Sequence, residues 1–313
     1  MQEINVQTNE AGQRMDKLLF KVLNRATSGF VYKMLRKKNI TLNGKKATGK
    51  EILQTGDVIC LYLSDETIAK FSEVQIVQGS CAHIDVVYED EAVLLLNKPA
   101  GVLSQKAKER DVSMNEELLA YLLQKGEITE ASLRTFRPAV CNRLDRNTAG
   151  ILICGKTLEA LQTLSQLIRT RAIGKFYKCI VEGTLEGEKL LEGYLEKDEK
   201  TNRVTLYREK KPGAVYVKTK YRSLETTAHH TLLEVELITG KTHQIRSHFS
   251  SIGHPIVGDR KYGSTEKGAG YQALYAYRLT FPKMEKNLKN LSEREFTIQD
   301  PEEFAALYER CFG

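Results

Sequence analysis

The run Asn142-Arg143-Leu144-Asp145-Arg146-Asn147-Thr148-Ala149-Gly150 sets one carboxylate among polar and basic neighbours. It then enters an apolar stretch, Ile151-Leu152-Ile153-Cys154. Further along, Thr239-Gly240-Lys241-Thr242-His243-Gln244-Ile245-Arg246 closes a strand with a Thr-Gly turn and opens a short helix that carries an arginine. An aspartate at a strand start and an arginine one turn into a helix are the parts of a buried, charge-compensated carboxylate site. Alone, a buried aspartate tends to protonate because desolvation raises its pKa. An adjacent guanidinium opposes that shift and orients the carboxylate through charge-assisted hydrogen bonds. Tyr177 lies between the two segments in an alternating run, which puts it on one strand face with Lys175 and Cys179. The plainer reading of the same two charges is a structural tie between a loop and a helix, and motif context favours chemistry over it.

Positioning such a site takes strands on both sides of it. Val93 to Leu96 reads as a strand ahead of Asn97, and Phe176–Val181, Val204–Tyr207, Val215–Tyr221, Leu232–Ile238 and Leu274–Phe281 read as further strands. Helices are predicted near Ser113 to Gln124, with Ser113 as N-cap and Glu116 completing a capping box, and from Leu158 to Arg171, where Leu158, Leu161, Leu164 and Leu167 share a side. Many strands in succession with few helices imply a largely antiparallel mixed sheet. Ahead of it, residues 13–63 read as helix, helix, then strands. Leu18, Leu19, Val22 and Leu23 give one apolar face and Val31, Met34 and Leu35 another. Ile40-Thr41-Leu42 enters an Asn43-Gly44 turn, and Val58 to Leu63 reads as a strand. Residues 64–82 carry little periodicity and read as a linker.

Charge is distributed unevenly over the 313 residues. The net charge is +7, but eleven basic residues lie between Arg14 and Lys50 (Arg14, Lys17, Lys21, Arg25, Lys33, Arg36, Lys37, Lys38, Lys45, Lys46 and Lys50), opposed there only by Asp16. Such a one-sided excess is the footprint of a polyanion-binding face, against the plainer reading of a solvated lysine-rich surface. With 41% hydrophobic and 28% charged residues the chain has a globular rather than a disordered composition. No apolar run approaches the ~20 residues of a membrane span. The polar start Met1-Gln2-Glu3-Ile4-Asn5 does not read as a secretory signal. Six cysteines, none in a Cys-x-x-Cys pair, read as reduced thiols, and a cytoplasmic location is expected. There is no G-x-G-x-x-G and no P-loop. His243, His248 and His254 fit no common zinc spacing, and His229-His230 reads as solvent-facing, so neither cofactor nor metal is expected.

Four segments together resemble the RluA-type (RluC- and RluD-like) pseudouridine synthases: Val93 to Gly101; Arg143-Leu144-Asp145 with Thr148-Ala149-Gly150; Lys175-Phe176-Tyr177; and Thr239–Arg246 continuing through Gly253-His254-Pro255-Ile256-Val257-Gly258-Asp259 to Tyr262-Gly263. The likeness covers roughly Ile84 to Phe281. Asn142 stands where that family usually has histidine, and Ala149 where it usually has serine. Residues 13–63 resemble a small αL-type RNA-binding module, through Arg14, Asp16, Lys17 and the Asn-Gly-Lys turn. The fold implied is α+β: a mixed-sheet catalytic domain over 81–313, preceded by a small α/β RNA-binding domain and linker over 1–80.

The resemblance implies an isomerase that detaches uracil N1 from ribose and rejoins the base through C5 in structured RNA, ribosomal RNA of the large subunit above all. No cofactor is required. Asp145 becomes the catalytic carboxylate, Arg246 its partner, and Tyr177 the ring that stacks on the uracil, with a hydroxyl available for C5 proton removal. Arg143 would occupy the space the extruded base leaves. Leu274 would line an apolar pocket, and Lys241 and His243 would contact substrate. Arg14, Lys17, Arg36, Lys37, Lys38, Lys45 and Lys46 would hold RNA. Target choice would lie in loops such as Gln105–Asp111 and Ser264–Tyr271. A non-catalytic RNA-binding or assembly factor is the alternative, as is a metal-dependent nuclease, which would want several carboxylates rather than one.

Overall fold

The computed structural model describes residues 1–73, 77, 79–266 and 269–313. Parts of the 64–82 segment and of the Ser264–Tyr271 loop therefore lie outside the described residues. The chain begins with β1 (Gln2–Asn5), α1 (Met15–Val22), α2 (Ser28–Arg36), β2 (Ile40–Leu42), β3 (Lys45–Lys46), β4 (Val58–Leu61) and α3 (Asp65–Phe71). Its four strands form an antiparallel sheet in the order β1-β4-β2-β3. Met15, Leu18, Leu19 and Val22 on α1 and Val31, Met34 and Leu35 on α2 are buried against Ile40, Ile59 and Leu61 of the sheet. The helical stripes read from the sequence thus become one core. Thr27 caps α2 by accepting the Phe30 N–H.

One reading of this region is corrected. The segment expected to be linker from residue 64 begins as α3. Ser64 caps it by accepting from Thr67 N–H, Ile68 is buried, and Phe71 packs on Phe30 with centroids 4.3 Å apart. The polar start of the chain is strand β1, whose Ile4 joins the core.

The larger part follows with β5 (Val86–Glu89), β6 (Val93–Lys98), α4 (Met114–Gln124), β7 (Ala139–Val140), β8 (Ala149–Gly155), α5 (Leu158–Thr170), β9 (Gly174–Glu182), β10 (Glu188–Asp198) and β11 (Arg203–Tyr207). It continues through β12 (Val215–Thr226), β13 (His230–Glu236), α6 (Gln244–Ser251), β14 (Leu274–Thr280), β15 (Glu295–Thr297) and α7 (Glu302–Phe312). One large sheet runs β11-β10-β12-β13-β9-β14-β8-β6-β5, with β15 on β14 and β7 on β8. Only β14 and β8 pair in parallel, so the sheet is mixed and largely antiparallel, and the fold is α+β.

Its centre is buried on both faces, as the unbroken apolar runs of β6 and β8 require. Leu94, Leu96, Leu152 and Cys154 point into a core shared with Met114, Leu118 and Leu122 of α4. Their neighbours Val93, Leu95, Ile151 and Ile153 point the other way, toward Ala160 and Leu164 of α5. Gly150 makes the parallel junction possible. Its φ is +125°, and a Cβ there would stand 2.3 Å from the Ala276 carbonyl oxygen.

Ser113 occupies the N-cap position of α4 but is no capping box. Its hydroxyl is buried without a partner, and Glu116 pairs with Lys106 at 3.6 Å. His230, expected to face solvent, is half-buried with Nε2 3.2 Å from Glu266.

Candidate active site

Asp145 sits in the loop between β7 and β8, and three anchors hold that loop. Ser104 both accepts from the Leu144 N–H and donates to the Leu144 carbonyl, each at 3.0 Å. The fully buried Lys98 ammonium donates to the carbonyls of Pro99, Val102 and Arg146 at 2.7, 2.7 and 2.9 Å, tying the turn after β6 to the residue after Asp145. Gln272 donates to the buried Thr148 hydroxyl at 3.1 Å. Burial pushes Lys98 down to about 7, with the negative charge of Asp145 pulling the other way. Asn142 has a structural post in the same loop: its amide spans the Ile151 carbonyl and the Ile153 N–H of β8.

Arg246 lies in the first turn of α6 and is 7% exposed. Its Nη1 donates to Asp145 Oδ2 at 3.0 Å. Its Nε and Nη2 donate to the two carboxylate oxygens of Asp259 at 2.6 and 2.8 Å, a bidentate clamp on a side chain itself 1% exposed. The arginine is thus oriented from behind, and Asp145 meets a guanidinium with little freedom to turn. One expectation changes here. Asp145 is not buried: its side chain is 25% exposed, because Oδ2 faces Arg246 while no hydrogen bond is made to Oδ1 among the described residues. A carboxylate that must meet a substrate has to keep one oxygen open.

His243 stands just before α6 with φ +52°. Its Nδ1 is 3.0 Å from the Tyr262 hydroxyl and its Nε2 3.7 Å from Asp145 Oδ2. The Val204 N–H donates to that same tyrosine oxygen at 3.0 Å. Burial holds the imidazole well below its usual pKa despite the pull of Asp145, so it is neutral at pH 7. Tyr262 also stacks beneath Arg246, 5.0 Å from centroid to guanidinium carbon. Lys261 donates to the Asn202 carbonyl at 2.7 Å and adds positive charge near His243.

Tyr177 is 5% exposed and pairs across β14 with Ala276. Burial first, and the charge of Asp145 second, push its phenol far upward, so it stays protonated. Leu274, opposite Cys179, lies on the same face two residues along from Ala276. Lys175, Tyr177 and Cys179 are all buried on that face, as the alternation of β9 predicts. Arg143 is exposed beside Asp145. Lys241 is also exposed, its backbone N–H held by Gln244 Oε1 at 3.2 Å. The structure therefore gathers Asp145, Arg246, His243, Tyr177 and Leu274, with Arg143 and Lys241 at the solvent edge. Among the described residues no three His, Cys, Asp or Glu side chains gather as metal ligands.

Asp259, Lys98, Ser104 and Tyr262 were given no role by the sequence. Asp259 and Tyr262 stood in a recognised motif, yet nothing local distinguishes a carboxylate that clamps an arginine 13 residues earlier from a loop acid.

The seven basic residues expected to hold RNA lie on the small N-terminal sheet and its helices. Arg36, Lys37, Lys38, Lys45 and Lys46 are exposed. Lys46 pairs with Thr41 across the β2–β3 hairpin. Lys17 is exposed too. Arg14 is engaged differently: its Nε and Nη2 bond the nearly buried Asp16 at 3.1 and 2.5 Å, and Tyr32 donates to the same carboxylate at 2.7 Å.

Comparison with known proteins shows the family. Residues 92–251 match the RNA pseudouridylate synthase family. An uncharacterized RNA pseudouridine synthase of Mycoplasma pneumoniae is 31% identical, with 94% of each chain covered. Ribosomal large subunit pseudouridine synthase C of Vibrio cholerae is 31% identical over 84% of this chain and 81% of its own. The solved structure of human RNA pseudouridylate synthase domain containing 4 shares the fold, with a TM-score of 0.59 and 20% identity over 72% of this chain and 92% of that one. By sequence and by fold, this chain belongs to the RNA pseudouridylate synthase family.

Proposed function

We propose that this RNA pseudouridine synthase isomerises uridines of large-subunit ribosomal RNA and that Asp145 is the reacting carboxylate. The observation that carries the second half is the chain Asp259–Arg246–Asp145, in which one carboxylate oxygen is fixed and the other left open. The reaction needs an ionised carboxylate beside the anomeric carbon while the N1 bond breaks. Arg246 supplies the compensating charge and direction. Attack on the anomeric carbon and assisted removal of a ribose proton both use this group. Tyr177 and Leu274 form the floor on which the extruded uracil rests. Tyr177 acts there as a neutral phenol, and Arg143 fills the vacated space in the RNA.

The ribosomal target rests on the name of the Vibrio relative and on the form of the chain. Residues 1–80 act as an RNA-gripping domain through Lys17, Arg36, Lys37, Lys38, Lys45 and Lys46, with Arg14 divided between RNA and Asp16. Residues 81–313 carry the chemistry. A large RNA can be held at one place and modified at another, and a cytoplasmic site of action follows from that substrate. No described helix is long and apolar enough to cross a membrane.

A pseudouridine map of total RNA from cells with and without the chain tests the proposal, with an Asp145→Asn rescue alongside. A large-subunit uridine that loses its mark and regains it only with intact Asp145 is the expected result. Marks that change only in another RNA would overturn the substrate, and rescue by the Asn variant would overturn the role of Asp145.

A further inference from the structure

Four lysine or arginine side chains are buried among the described residues: Lys98, Lys156, Lys175 and Arg246. Three of them are satisfied. Lys98 has its three carbonyls. Lys156 has Glu89, Glu127 and the Asp90 carbonyl. Arg246 has two carboxylates. Lys175 is only 8% exposed, yet among the described residues no carboxylate, carbonyl or hydroxyl accepts a hydrogen bond from its ammonium. The charge that acts on it is that of Arg171, of the same sign.

The stem of Lys175 is buried, and its ammonium has no acceptor among the described residues and only a narrow opening to water, so it is poorly solvated. Burial and Arg171 accordingly lower its pKa. Uncompensated charges of this kind concentrate where a ligand supplies the missing partner. The position says which ligand. Lys175 precedes Tyr177 by two residues on the same strand face. Its Nζ lies 3.2 Å from where a Cβ on Gly240 would stand, against the turn that leads into His243 and Arg246. Gly240 is exposed and carries no side chain to cover the amine, which reaches solvent beside the site. In an RNA substrate the anions at that place are backbone phosphodiesters.

We infer that Lys175, with Arg171 at the rim, seats a backbone phosphate next to the reacting uridine, its ammonium donating to a non-bridging oxygen across the Thr239–Gly240 turn. The seat deepens the proposed function and rests on it. The phosphate contact sets register while Asp145 does the chemistry.

The test uses the full chain, an unmodified large-subunit ribosomal RNA transcript, and the variants Lys175→Met, Lys175→Arg and Asp145→Asn. Lys175→Met should raise KM roughly tenfold, change kcat little, and reduce the slope of log affinity against log salt by roughly the 0.7–0.9 expected for one phosphate. Its thermal midpoint should hold, since the amine makes no hydrogen bond to the described residues that the variant would lose. Lys175→Arg should recover most of the affinity. An unchanged KM and salt slope in Lys175→Met would overturn the inference. So would a fall in kcat at constant KM, which would assign the amine to chemistry, or a lower midpoint with normal KM, which would make it structural. Turnover by Asp145→Asn would sink the proposed function on its own, whatever Lys175 does, so the two failures are distinguishable.

Discussion

Arg246 and Lys38 are both cations of an RNA-modifying chain, but their surroundings are opposite. Arg246 is 7% exposed, clamped at two nitrogens by Asp259 and at a third by Asp145. Lys38 is exposed, as are Arg36, Lys37, Lys45 and Lys46. The first arrangement fixes direction: the bidentate pair with Asp259 holds the guanidinium, which then meets Asp145 at a set angle. The second keeps charge available: exposed lysines interact with a polyanion at long range and with little geometric demand. Chemistry asks for compensated charge, and capture asks for open charge.

The severest way to break this comparison is at Asp145. Asp145→Asn keeps the shape and removes the negative charge, so turnover should fall roughly a thousandfold or more while RNA affinity stays near that of the parent. Single-turnover kinetics beside a filter-binding titration would check both halves. An equal loss of affinity would mean that the carboxylate organises the binding surface instead. Next comes Asp259→Ala, which leaves Nε and Nη2 of a buried guanidinium without acceptors. Stability should drop by about 3 kcal/mol and turnover with it, because Arg246 can then rotate. Urea denaturation reads the first effect, and a variant as stable as the parent would show that the clamp is not what holds Arg246.

The contrast between the two regions also explains what the sequence could and could not disclose. Strands β8, β9 and β14 were legible because fully buried or alternating apolar runs have few other solutions. That Asp145, Tyr177 and Arg246 would come together was suggested by motif context, and the exposure of the N-terminal lysines by sheer local excess. Asp259 was not, since its role comes only from a fold that returns it to Arg246. Lys98 was hidden for the same reason: three carbonyls from two loops define it, and no side-chain pattern announces carbonyls. Helix α3 was missed because Asp65–Phe71 buries little beyond Ile68 and so shows hardly any periodicity. The capping box at Ser113 followed a valid local rule that lost to burial of the hydroxyl.

Acid probes the compensated region through His248 of α6, five residues past His243. Its Nδ1 meets the Thr219 hydroxyl at 2.7 Å, its Nε2 is buried without a partner, and burial lowers its pKa to about 4. The sign follows from proton uptake. Between the ordinary value of 6.5 and about 4 the unfolded chain binds a proton that the folded chain refuses. The stabilisation is therefore whole above pH 6.5 and is lost as pH falls toward 4, by about 2 to 3 kcal/mol. Denaturant midpoints across that range should fall for the parent and fall less for His248→Gln. Identical slopes would show that another group carries the acid sensitivity.

The gentlest test lies at the open region. Replacing Arg36, Lys37 and Lys38 together by alanine should weaken RNA binding roughly tenfold and lower the salt slope by about two contacts. The folded state should lose little, because these side chains are exposed and surface changes of this kind usually stay within ±0.5 kcal/mol. The turnover of RNA already bound should not change, since the triplet lies on the N-terminal sheet's side of the chain and not in the Asp145 loop. Titrations at several salt concentrations and a single-turnover rate at saturating RNA separate these effects. If the bound-state rate falls as well, the two regions are coupled: the basic surface would then do more than capture RNA and would help to place the uridine over Asp145.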